Sequence, residues 1–158
     1  MMRKLLPLLA AVLGIVCLPA LAVRAAPATG LAKTMQQVDA ALDRALRNLN
    51  AAEELVSKKH LAATDQPMRH VRDAEEKIGQ AVNLFRTVEA TKPTKGQLEQ
   101  VQRVLTEVRG QLREAGALID RSGQKSKDHK LLRGLVTGAD HRVDQAMKML
   151  RQMAATAP

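Results

Sequence analysis

Residues 98–119 read LEQVQRVLTEVRGQLREAGALI, with apolar side chains at Leu98, Val101, Leu105, Val108, Leu112, Ala115 and Ile119. Their spacing alternates between three and four residues. That is the roughly 3.5-residue period of helices packed knobs-into-holes; a half-buried strand would alternate at every second residue. Working outward, the same seam recurs at Leu31, Met35, Val38, Leu42, Ala45, Leu49, Ala52 and Val56 on the N-terminal side. It recurs again at Val71, Ala74, Ile78, Ala81, Phe85 and Val88, and finally at Leu132, Val136, Ala139, Val143, Ala146, Leu150 and Met153. These four seams predict an all-α fold, an up-down-up-down antiparallel four-helix bundle with a heptad-patterned core.

The punctuation between seams agrees. The first helix is expected from about Thr29 to His60, and Thr64-Asp65-Gln66-Pro67 supplies polar caps and a first-turn proline for the second. Pro93 stops that second helix after Thr91-Lys92, and Thr94 with Gln97 forms a T-x-x-Q capping box for the third. Gly123 sits where a left-handed C-cap ends the third helix, and Ser126 caps the fourth. Glu54–Lys58, Asp73–Lys77, Glu99–Arg103 and Asp144–Lys148 are i,i+4 pairs expected on outer faces, each adding about 0.3 kcal/mol.

Residues 1–22 read as a secretory signal peptide, with Arg3 and Lys4 ahead of an apolar run from Leu5 to Leu18. Pro19 breaks the run, and Ala20-Leu21-Ala22 supplies the small residues of a cleavage site. Residues 23–28 form a short linker and 29–158 the bundle. Cleavage after Ala22 removes Cys17, the single cysteine, and leaves no transmembrane span. The expected location is the periplasm or the exterior. A cysteine-free mature chain has no disulfide, no thiol redox chemistry and no cysteine-ligated metal.

Composition narrows the function classes. With one Phe and no Trp or Tyr among 158 residues, a β-sandwich is excluded and nucleic acid is not an expected partner, since bases have almost nothing to stack on. No seam position listed above carries Asp, Glu, His, Ser or Thr. No Glu-x-x-His, G-x-S-x-G or phosphate-binding glycine loop occurs, so a di-metal carboxylate centre, a serine nucleophile and a nucleotide site all lack their residues. The expectation is a protein that is not an enzyme and carries no cofactor.

Met35 resembles in position the axial methionine of soluble periplasmic b-type cytochromes, which are also exported four-helix bundles. That resemblance implies a second haem ligand, a histidine, late in the fourth helix. Residues 147–153 read MKMLRQM there, without one. Flexible core filling is the reading of these methionines.

The charge, +9 overall from 25 Lys+Arg and 16 Asp+Glu, is unevenly placed. The bundle topology gathers Lys58, Lys59, Arg69, Lys125, Lys127 and Lys130 at one end, as candidate anion-binding residues. Lys58 and Lys59 complement a helix C-terminus, but Arg69, Lys127 and Lys130 stand in first turns, where acidic residues are favoured. His60, His70 and His129 fall at the same end, with His129 on the seam, and form an alternative metal site. The expected function is therefore an exported, non-enzymatic helical-bundle interaction protein that engages an anionic envelope component or an acidic protein. The alternative is a small periplasmic metal- or haem-carrying bundle. Long seams of mixed Ala and Leu also allow a homodimer.

Overall fold

The computed structural model describes residues 30–88 and 93–157, and the expected signal peptide, linker, Thr29 and Lys92 lie outside them. Four helices pack together: α1 (Gly30–Lys59), α2 (Asp65–Arg86), α3 (Lys95–Arg121) and α4 (Lys127–Thr156). There is no strand among the described residues. The seams form the core. Every seam position is buried except Leu31, Met35 and Val56, which pack half-buried against it. Ala41, Met68, Val82 and Met147 join the core from positions beside the seams. A helix in a globular bundle buries a wider stripe than a two-stranded coiled coil, which explains the extra width.

Local chemistry sets the helix ends. The Thr94 hydroxyl accepts from the Gln97 backbone N–H (3.3 Å), and the Gln97 side-chain oxygen accepts from the Thr94 N–H (3.1 Å), which completes the expected capping box. Gly123, at φ +66°, takes the left-handed turn after α3 that glycine adopts without steric cost. Ser126 caps α4 by accepting from the His129 N–H at 3.2 Å. Two expectations at α2 need correction. Thr64 occupies the N-cap position, but its hydroxyl donates back to the Leu61 carbonyl (2.8 Å) instead of capping. The helix also ends at Arg86, before the segment Pro93 was expected to stop. Thr87 and Val88 donate their backbone N–H groups to Leu84 and Phe85, three residues back, which tightens the last turn and closes the helix early.

Contacts between helices run in opposed order. Between α1 and α2, Asp39 faces Arg86 (4.0 Å) and Glu53 accepts from Arg72 (2.9 Å). Between α2 and α3, His70 meets Gln111 and Lys77 pairs with Glu107. Between α3 and α4, Arg109 reaches Asp140 and Asp144, and Arg133 reaches Asp120. In each pair of helices, residue numbers rise on one side as they fall on the other.

The interfaces are unequal. The α1 backbone packs far more closely on α4 than on α2. Close approach to α4 is visible at Gly138, where an added Cβ would stand 2.7 Å from the Asn48 side-chain nitrogen. Both helices bury small side chains, Ala41, Ala45 and Ala52 on α1 and Ala139 and Ala146 on α4, which permits close backbone approach.

Candidate functional site

The end of the molecule where α1 and α3 finish and α2 and α4 begin holds the residues singled out for chemistry. His129 organises it. Its ring is 5% exposed and lies one turn into α4. The Nε2–H donates to the Ala62 carbonyl at 3.0 Å, so Nδ1, in the neutral ring, accepts from the Ser126 hydroxyl at 2.8 Å. The start of α4 is thereby tied to the connection between α1 and α2. That connection is bent tightly: His60 (φ +49°) and Ala63 (φ +56°) both adopt the left-handed conformation uncommon for residues with a side chain.

The three histidines do not converge. His129 uses both ring nitrogens within the protein, His70 gives its Nδ1–H to Gln111 Oε1 (2.6 Å), and His60 is exposed beyond the end of α1. Among the described residues, no group of three or more His, Cys, Asp or Glu side chains is arranged to hold a metal ion.

The cations sort into two sets. Lys58 pairs with Glu54, Arg72 with Glu53, Arg121 with Glu114 and Arg133 with Asp120. Lys59, Arg69, Lys125, Lys127 and Lys130 are exposed and have no carboxylate within ion-pair distance among the described residues. Of the six candidate anion-binding residues, only Lys58 is therefore neutralised by a neighbour. Its effect on Glu54 is visible: the hydrogen bond and charge of Lys58 hold that carboxyl below its usual range.

Two hollows lie at this end. One, of about 280 Å³, runs between the end of α3 and the start of α4, with Lys125, Lys130 and Arg133 around Gly123 and the edge of His129. The other, of about 350 Å³, is a groove between α1 and α4 lined by Ala51, Leu55, Leu131 and Leu135, with Glu54, Lys58 and Lys59 at its rim. The first carries an excess of positive charge, Lys125, Lys130 and Arg133 against Asp120, the arrangement that attracts a multivalent anion. Its carboxylate and its imidazole are both engaged, Asp120 by Arg133 and His129 by Ser126 and the Ala62 carbonyl.

Sequence reasoning missed Leu131, which is 52% exposed and the only large hydrophobic side chain so exposed among the described residues. The signal was present: Leu131 and Leu132 are adjacent, so only one of them can occupy the seam. Sequence reasoning also missed the cluster of Arg109 with Asp140 and Asp144. Compared with protein-family models, curated proteins and solved structures, the chain matches none. No helix among the described residues is long and apolar enough to cross a membrane.

Proposed function

We propose that this chain is an exported, non-enzymatic interaction protein whose up-down-up-down four-helix bundle presents one basic end to an anionic partner. The observation that carries the reading is the sorting of charge. Lys59, Arg69, Lys125, Lys127 and Lys130 have no acidic partner among the described residues, although other cations at the same end are paired. Helix stability does not ask for Lys127 and Lys130 in the first turn of α4, where the macrodipole opposes them; Arg69, expected in a first turn, stands just beyond that of α2. A surface that concentrates unpaired lysines instead raises the local potential and speeds encounter with anions. The opposed order of the helix pairs supports the up-down path. The basic-apolar-small pattern of residues 1–22 supports export, and in that compartment the partner is an anionic envelope component or an acidic protein.

The test is binding to heparin and to vesicles containing anionic lipid, measured in low salt and again with salt added. Binding is expected and should weaken as salt screens the lysines. Reversing Lys125, Lys127 and Lys130 to Glu should weaken it by at least about a hundredfold, taking about 1 kcal/mol for each lysine near an anionic surface. Absence of binding at low salt, or binding indifferent to salt, overturns the reading. Export is tested by the mass of the protein recovered from its producing cell, which should begin at Val23.

A further inference from the structure

We infer that the groove between α1 and α4 binds a single-chain anionic amphiphile, with its acyl chain along the leucines and its charged head at the lysine rim. This rests on the basic-end reading above and names the ligand chemistry one part of that end would take.

Three observations carry it. First, the groove floor is apolar: Ala51 and Leu55 of α1 face Leu131 and Leu135 of α4 around about 350 Å³, within the size range of small-molecule pockets. A lone exposed leucine on a surface is ordinary. Leu131 is different because it lines a hollow together with Ala51, Leu55 and Leu135. Secondly, polarity is confined to one rim. Glu54 and Lys58 neutralise each other there, so Lys59 supplies the net charge. Lys127 lies one helical turn before Leu131 on the same face of α4, and the first turn of α4 adds the positive pole of the helix. An apolar trough with positive charge at one end matches a ligand with one long apolar body and one anionic terminus. An acidic helix would instead bring charge along its whole length.

Thirdly, the charge disfavours a second copy of this chain as the occupant. A two-fold contact over Leu131 would bring two such lysine rims into one interface, with no carboxylate in the groove other than the already paired Glu54. An anionic ligand relieves that field; a second copy doubles it.

The experiment titrates the protein with sodium dodecanoate below its micelle concentration, with dodecyl maltoside (same chain, uncharged head) and with inorganic phosphate. Calorimetry and thermal unfolding give the readouts. Dodecanoate is expected to bind one per chain and to raise Tm, as a ligand of the folded state does. The other two probes should bind at least about tenfold more weakly. Leu131→Gln and Lys59→Glu, both at exposed positions that leave the core untouched, should each weaken dodecanoate binding by about tenfold.

Equal affinity for the maltoside, or for phosphate, overturns the inference, as does dodecanoate binding that Leu131→Gln leaves unchanged. A dimer in sedimentation that Leu131→Gln dissociates also overturns it and assigns the groove to a second copy. Salt-sensitive binding to heparin without binding to dodecanoate removes the groove proposal and leaves the basic-end reading standing. Failure of both removes both.

Discussion

The middle of the α3–α4 interface and the basic end use the same kinds of side chain in opposite ways. In the middle, Arg109 donates from Nε to Asp140 (3.1 Å) and from a terminal nitrogen to Asp144 (2.6 Å), and Asp144 also receives Lys148 at 2.9 Å. Arg109, Asp140 and Asp144 are each less than one-quarter exposed, whereas Lys148 is 67% exposed. At the end, five cations stand in solvent without a carboxylate among the described residues. Charge in the middle fastens two helices; these five cations at the end fasten nothing. Arginine also fills the buried role and lysine most of the exposed one, as expected from the planar fork of one and the strongly hydrated point charge of the other.

That contrast can be broken most forcefully at Arg109. Arg109→Ala leaves two half-buried carboxylates facing each other and should cost about 1–3 kcal/mol in urea denaturation at neutral pH. Arg109→Lys should recover only part of it, since an ammonium cannot bridge both carboxylates with the same geometry.

Acid titration is the next largest effect. The hydrogen bond from Lys148, with the charges of Arg109, Lys148 and Arg151, holds the Asp144 carboxyl below its ordinary value of 3.8. A depressed native pKa contributes stability that is present above the unfolded value and lost as pH falls through the native one. Stability should therefore decline as pH drops below about 4, and Asp144→Asn should flatten that decline.

Glu75 sharpens the contrast from the other side. Burial, with the charge of Glu53 second, pushes its carboxyl above the ordinary 4.5. A raised native pKa means that stability is fully present below the unfolded value and is lost as pH rises through the native one. Glu75→Gln should thus stabilise the protein at pH 7, by about 0.5 kcal/mol, and lose that advantage in acid. The smallest effect on stability is expected from Lys125, Lys127 and Lys130 reversed to Glu: within about 0.5 kcal/mol, while anion binding collapses. A loss as large as that of Arg109→Ala would show that the end, too, has a structural task.

The seams were legible because period and residue type agreed along each helix, from Leu98 to Ile119 most plainly. So were the caps at Thr94 and Ser126 and the turn at Gly123, where local spacing decides the outcome. Choices among partners in space were not legible. Lys77 stands one turn after Asp73, yet it pairs with Glu107 across the interface. Glu99 takes Lys95 at 3.9 Å in place of the expected Arg103. Both alternatives satisfy i,i+4 or cross-helix geometry about equally, and exposed pairs differ by only tenths of a kcal/mol. The burial of His129 followed from its seam position, but its bond to the Ala62 carbonyl did not. That bond depends on how the α1–α2 connection folds over the end of the bundle. The clustering of lysines was legible from the helix order; which of them are neutralised was not.

The two flanks of α1 also impose an order in time. This helix packs more closely on α4, the last of the four described helices, than on α2, its neighbour in sequence. The bond from His129 to Ala62 spans 67 residues in the same sense. A ribosome makes α1 first, but the surface that completes it arrives only with the final helix. Loops that long are costly to close before their contacts form, so α2, α3 and α4 can associate through shorter connections while α1 waits. Of the four helices, the first synthesised is thus the last to be secured, and through that interval its apolar seam stays open to whatever else meets the nascent chain.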